Sequence, residues 1–271
     1  MSTTDTKRGD EPASDLDRTD AILRTENLIK TFGSFAAIDG VNIAVERGEF
    51  RSIIGPNGAG KTTLFNLVSG ALPATAGSVY FDGEEITDLP PQERIRRGMG
   101  RSFQISNIFG GLTVRENVRL AAQARHRGEY SFLESLFKPT DRYEDIDADT
   151  DGIIDRIGLA DVAEEHAAAL PYGDKRRLEI GVVLATDPDL VLFDEPTAGM
   201  GPQETDDTID LIQEVLADQT LVLVEHDIEL VMELSDTITV LHQGQVLAEG
   251  TPEEVADDRD VQDAYLGGVV E

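Results

Sequence analysis

The sequence predicts an α/β fold: a mixed, mostly parallel sheet as the core, an N-terminal antiparallel β part, and an inserted helical subdomain. Three observations point there. Glu49–Ile54 is a strand-length, largely apolar run that passes directly into a glycine-rich turn and then a helical pattern over Lys61–Ser69. Leu190–Asp194 is a second apolar run, and it ends in paired carboxylates. Around them, strand-length and helix-length segments alternate, as parallel strand–helix–strand units require.

The elements follow in order. Met1–Asp20 is polar and acidic, with no apolar core of a secretory signal, and is expected to be a disordered tail ahead of a domain spanning 21–271. Ile22–Phe32 and Val41–Val45 read as short strands about a Gly/Ser turn, and Ser78–Phe81 as another before the turn at Asp82-Gly83. From Gln104 to Thr186 the pattern is helical, which defines a subdomain over about 104–186, interrupted by a loop-like acidic stretch at Pro139–Asp151. Alternation then returns with strand Leu190–Asp194, helix Gln203–Leu216, strand Leu221–Val224 and helix Ile228–Leu234. Thr237–Leu241 and Gln245–Ala248 form a hairpin around Gln243-Gly244. No internal repeat is visible, so the chain carries a single copy of whatever site it holds.

Composition narrows the classes. No run approaches the roughly 20 apolar residues that span a bilayer. The chain has no Cys, which removes disulfides and thiolate metal sites. Its 53 acidic against 23 basic residues give a formal charge of −30, and this argues against nucleic-acid binding, which needs a basic footprint. The acids are spread over the chain, and Lys occurs only at Lys7, Lys30, Lys61, Lys138 and Lys175. Such a balance fits a halophilic protein working in concentrated salt, where the Debye length falls to about 3 Å at 1 M and self-repulsion is screened.

The chemistry sits in the motifs. Gly55-Pro56-Asn57-Gly58-Ala59-Gly60-Lys61-Thr62, followed by Thr63, satisfies G-x-x-x-x-G-K-[ST] between a strand and a helix. Its glycines let backbone N–H groups curl around phosphates at a helix N-terminus whose dipole favours anions. Lys61 is expected to reach the β- and γ-phosphates of a bound nucleotide, and the Thr62 hydroxyl to ligate Mg²⁺. Asp194, at the end of a buried strand, falls beside that metal, and Glu195 falls where it can orient and polarise an attacking water. Asp147-Ala148-Asp149-Thr150-Asp151-Gly152 imitates the start of an EF-hand loop. Its twelfth position is Gly158 rather than the bidentate Glu, so no calcium site is expected there.

Residues 170–180, Leu-Pro-Tyr-Gly-Asp-Lys-Arg-Arg-Leu-Glu-Ile, resemble the signature that separates ABC-type ATPases from other P-loop proteins. The order of glycine loop, Gln104, signature, Asp194-Glu195 and His226 resembles that family over nearly the whole domain. The resemblance implies that two such subunits sandwich ATP, each glycine loop facing the partner's signature, here at Gly173. It further implies that His226 is a switch residue at the γ-phosphate. Gln104 is implied to sense nucleotide, contribute to the metal site and face the membrane partner. Phe32, in Lys-Thr-Phe-Gly, is implied to stack on adenine, with Phe35 as the competing candidate; ordinary core packing is the alternative for either ring.

Further wording is similar to one branch: Arg101-Ser-Phe-Gln-Ile, Leu-Thr-Val-Arg-Glu-Asn-Val at 112–118, Glu195-Pro-Thr-Ala-Gly-Met, and Ala264-Tyr265-Leu266-Gly267. That branch supplies ATPases to importers of branched-chain amino acids, with relatives serving urea or amides. The partners implied are membrane permease subunits, a second ATPase and, indirectly, an extracytoplasmic binding protein. The place implied is the cytoplasmic face of the membrane, as a peripheral subunit. The runner-up reading is the ATPase of an exporter or lipid-extracting system. The chain departs from the family pattern at Pro171, where a phosphate-binding Ser is usual, at Asp174, and at Gly201, where an Asp is common. These departures predict asymmetry: the site on this chain's own loop hydrolyses, while the signature it lends its partner is weaker.

Overall fold

A computed structural model of the chain describes residues 21–101, 108–126 and 139–266. In chain order the strands are β1 (Leu23–Phe32), β2 (Phe35–Val41), β3 (Ala44–Val45), β4 (Phe50–Ile54), β5 (Ala76–Phe81), β6 (Glu84–Glu85), β7 (Met99–Arg101), β8 (Leu190–Asp194), β9 (Thr220–Val224), β10 (Thr237–His242) and β11 (Gln245–Gly250). One sheet is antiparallel, ordered β2-β1-β5-β6 with β3 also on β1. The other is ordered β11-β10-β4-β9-β8-β7 and is parallel except for the β10–β11 hairpin.

The helices are α1 (Lys61–Val68), α2 (Pro91–Arg96), α3 (Val114–His126), α4 (Pro139–Arg156), α5 (Tyr172–Leu184), α6 (Pro202–Val215), α7 (Ile228–Leu234), α8 (Pro252–Asp257) and α9 (Arg259–Leu266). They cover both faces of the parallel sheet, which is why its strands read as unbroken apolar runs. Side chains alternate across the sheet. Leu190, Leu192, Val222 and Val224 pack with α1 and the antiparallel sheet, through Leu64, Phe65, Ile38 and Val79 among others. Val191, Phe193, Leu221 and Leu223 face the opposite way, into a core shared with α3 to α6 through Val118, Ile154, Leu178 and Ile212. A third cluster joins Ile54 and Val240 to Val231, Val255 and Val261 of α7, α8 and α9. Register pairs Ile53 with Val224 and Val224 with Asp194, so the loops after β4, β8 and β9 leave the sheet side by side.

Two expectations are corrected. Pro139–Asp151 is not a loop but most of α4. Two of its acids are matched to arginines on α3: Arg119 Nε donates to Asp147 at 2.6 Å, and Arg115 pairs with Asp151 one turn on. Meanwhile Ile146, Thr150 and Ile154 are buried at helical spacing. The Asp-rich segment that imitates a calcium loop therefore lies on a helix. Val41–Val45 is not one strand either; β2 ends at Val41 and β3 begins at Ala44. The expected tail at 1–20 lies outside the described residues.

One buried cation closes the C-terminal end of α1. Arg94 is 2% exposed. Its guanidinium donates to the carbonyls of Leu67 (3.0 Å) and Val68 (2.5 Å), at the C-terminal end of α1, and to those of Thr87 and Leu89. Leu67 O also accepts from Gly70 N–H at 3.1 Å, and a cation at this C-terminal end suits the helix dipole. Replacing Arg94 by Met should destabilise the chain by about 2–4 kcal/mol, since buried carbonyls lose their donors. Urea unfolding measures this, and an unchanged midpoint would refute the assigned role. Lys should recover only part, because one ammonium cannot span four carbonyls.

Candidate functional site

The glycine loop leaves β4 under tight steric constraint. Gly55 has φ +152°, and a Cβ there would lie 2.2 Å from the Leu241 carbonyl oxygen of β10. Gly60 has φ +109°, and a Cβ would meet the Ala37 carbonyl oxygen at 2.6 Å and Ile38 at 2.9 Å, both on β2. The β10–β11 turn ties these neighbours together: Gly244 N–H donates to Ala59 O, and Asp39 N–H donates to Gly244 O, each at 2.9 Å. Ala59 is buried, while Asn57, Gly58 and Thr62 are exposed; Pro56 and Thr63 are half-buried. Lys61 folds back into the loop, with Nζ donating to Gly55 O at 2.6 Å and Pro56 O at 3.2 Å. Burial lowers its pKa from the ordinary lysine value, and Glu195 and Asp194 act against that. From the other end of the chain, the half-buried Tyr265 phenol is pushed up to about 12 by burial, partly opposed by its hydrogen bond to the Gly55 backbone.

The carboxylates emerge from the adjacent strands. Asp194 is 6% exposed, and its buried Oδ1 has no hydrogen-bond partner. Burial pushes its pKa up and Glu195 adds to this, while Arg101 and His226 pull it down. Glu195 takes the left-handed conformation at φ +50°, unusual for a long side chain, and its N–H donates to Val224 O at 2.8 Å. That turn aims Glu195 Oε1 at His226 Nε2, 2.7 Å away. With the carboxylate ionised, the ring nitrogen is the donor. Next to His226, the buried Glu225 accepts from Thr197 N–H (3.1 Å), Thr197 Oγ1 (2.6 Å) and His226 N–H (3.0 Å). Arg101, from β7, stacks over Phe65 and donates to Ser69 Oγ and Asn66 Oδ1.

An orphaned, buried carboxylate oxygen beside a lysine-closed phosphate loop is a place for a hard cation. Asp194 and the Thr62 hydroxyl offer the oxygen ligands that Mg²⁺ takes alongside substrate phosphates, so the residues present fit that ion.

Other expected residues sit on other elements. Phe32 and Phe35 are register partners at the tip of the β1–β2 hairpin, 52% and 62% exposed, with Lys30 Nζ 5.3 Å from the Phe32 ring centre. Neither ring is a core residue. Gly173 lies in the first turn of α5, in a cleft shared with Tyr172, Met200 and Thr208 that no glycine-loop residue lines. Pro171 is the N-cap of α5, and its carbonyl accepts from Lys175 N–H. Gln104 lies outside the described residues. Sequence reading did not single out Glu225, Arg101, Arg94 or the position of Tyr265. The readable local signals were helix caps, the boxes Thr113-Val-Arg-Glu116 before α3 and Thr251-Pro-Glu-Glu254 before α8.

A glycine loop between parallel strand and helix, with acid and imidazole joined at the neighbouring strand ends, defines a P-loop nucleotide hydrolase. Comparison with known proteins narrows the class. A family model described as ABC transporter matches residues 38–198, and one described as branched-chain amino acid ATP-binding cassette transporter matches 245–271. The chain is similar to the high-affinity branched-chain amino acid transport ATP-binding proteins BraF of Pseudomonas aeruginosa (43% identity) and LivG of Escherichia coli K12 (40%). Each alignment covers 91% of this chain and 98% of the relative. It is also similar to the ADP conformation of an ATP-binding cassette of an ABC transporter, with a TM-score of 0.77 at 34% identity over 91% of this chain and 99% of that one. The chain belongs to the ABC transporter family, as an ATP-hydrolysing cassette.

Two outcomes follow from the geometry. Gly55→Ala should weaken ATP binding at least about tenfold, because the new methyl collides with the Leu241 carbonyl; wild-type affinity in a fluorescent-nucleotide titration would overturn this. Asp194 bears on stability. An acid whose folded pKa is raised loses stability as pH climbs from its ordinary value through the raised one. Asp194→Asn should therefore raise the Tm at pH 7 by roughly 2–4 °C for each kcal/mol relieved, the gain fading in acid. A lower Tm at pH 7 would contradict the assigned cost.

Proposed function

We propose that the chain is the ATPase subunit of a membrane importer for branched-chain amino acids, and that its own site hydrolyses ATP. The observation that carries the catalytic part is the 2.7 Å hydrogen bond between Glu195 and His226, across the ends of β8 and β9. Glu195 orients the attacking water and polarises it toward the γ-phosphorus. The water oxygen bonds to that phosphorus as the bridge to the β-phosphate breaks, leaving ADP and phosphate. His226 holds Glu195 and contacts the γ-phosphate; Gln104 senses its presence. Lys61 and the loop N–H groups bind the phosphates, and Phe32 stacks on adenine. Mg²⁺, held by Thr62 and Asp194, supplies charge neutralisation when bound.

Support for the substrate class comes from the named relatives, which are branched-chain amino acid transport proteins, and from the family model over 245–271. Permease subunits and a second ATPase are the direct partners, an external binding protein the indirect one, and the cytoplasmic membrane face the location. Among the described residues, no helix is long and apolar enough to cross a membrane. In the composite sites, Gly173 faces the partner's nucleotide. Pro171 can offer neither hydroxyl nor N–H, so the partner's site is the weaker.

In the assembled transporter, Glu195→Gln should cut ATP turnover by about 10²–10⁴-fold while leaving ATP binding near wild type. Uptake of labelled leucine should fall with it. An unchanged rate would sink the assignment of Glu195, and leucine uptake indifferent to deletion of this chain would sink the importer reading.

A further inference from the structure

We propose that Glu225 is a positioning residue for hydrolysis: its buried carboxylate locks the segment after Glu195 to the backbone of His226. This rests on the reading of Glu195 and His226 as the reacting pair. Glu225 is 4% exposed, and its two oxygens do separate work. Oε1 accepts from both the N–H and the hydroxyl of Thr197, at 3.1 and 2.6 Å. Oε2 accepts from the His226 N–H at 3.0 Å. Three donors converge on one carboxylate, two of them from Thr197, 28 residues away in the chain.

The arrangement solves a specific problem. Glu195 sits at φ +50°, a conformation a long side chain keeps only when its surroundings hold it. Upstream, β-ladder pairing fixes Asp194 against Val224, and Glu195 N–H reaches Val224 O. Downstream, the turn is closed by Ala198 N–H to Glu195 O at 3.2 Å and Met200 N–H to Thr197 O at 3.1 Å. Glu225 clamps Thr197, which lies inside the first turn and opens the second. The same carboxylate fixes the backbone from which the His226 ring projects. The loop carrying the acid and the loop carrying the imidazole thus share one anchor, and the 2.7 Å contact between their tips depends on it. Glu225 acts through its neighbours, Thr197 and the backbone of His226.

Replacing Glu225 by Gln keeps size and both Thr197 bonds, but it sets an amide donor or a rotated side chain against the His226 N–H. In the assembled transporter, kcat should fall about ten- to a hundredfold, the cost of displacing a reacting group by about an ångström. KM for ATP and nucleotide affinity should stay within about twofold, because the phosphate loop is untouched. Thr197→Val, which removes one donor and keeps the backbone N–H, should lower kcat several-fold, and Thr197→Ser should restore it. In combination, Glu225→Gln and Thr197→Val should cost more than either alone, because Glu225→Gln spares both Thr197 bonds and Thr197→Val removes one of them. A lower Tm with kcat unchanged in both single variants would overturn the proposal and leave Glu225 a structural residue only. Glu195→Gln, measured in parallel, separates the two readings. If it too leaves turnover intact, the site assignment fails; if it abolishes turnover while the Glu225 and Thr197 variants do not matter, this inference alone fails.

Discussion

Burial of β4, β8 and β9 on both faces is the constraint on which the rest of the structure depends. A strand covered from two sides has little freedom of register, since a one-residue slip would exchange Leu190 and Leu192 with Val191 and Phe193 between two different cores. With the register fixed, the strand ends are fixed too. Glycine loop, Asp194 and the Glu225-His226 pair emerge as neighbours although they are far apart in sequence. The site is a consequence of sheet packing before it is a matter of polar chemistry.

That packing also sets the electrostatics. Lys61, Asp194, Glu225 and Arg94 are charged residues held at less than a tenth exposed. Three of them have matched partners: two carbonyls for Lys61, three donors for Glu225, four carbonyls for Arg94. Asp194 is the exception, with an oxygen left bare. Buried polar atoms without partners are rare because they are costly, and they concentrate where a ligand supplies the missing contact. Elsewhere among the described residues, the buried Glu49 is held by Arg51 and the Glu46 N–H, and exposed acids meet arginines across helices, as Asp147 and Asp151 of α4 do with α3.

Much of this was legible in the residues. The glycine loop fixed strand, turn and helix together, and Leu190–Glu195 announced a buried strand with chemistry at its end, because each combines a hydrophobic period with residue types that few other contexts need. Pro139–Asp151 misled for the opposite reason. Its acids look like a solvated loop until Arg115 and Arg119 of another helix are placed opposite them, and that pairing is tertiary. Glu225 was hidden similarly: one Glu among 53 acids says nothing until Thr197 is brought beside it. The short β7 and α2 carry too few residues for any period to show.

The Tyr265 contact has a consequence for how the molecule comes into being. The first glycine of the phosphate loop, residue 55, meets its phenolic neighbour only when residue 265 has been made. At about 5–20 residues per second, roughly ten to forty seconds of synthesis separate the two. A nascent chain can assemble the antiparallel sheet and α1 early, yet its nucleotide loop lacks a supporting wall until α9 folds back onto it. The finished loop is in that sense a signal of completion: a truncated product retains the motif and loses part of what holds it in shape.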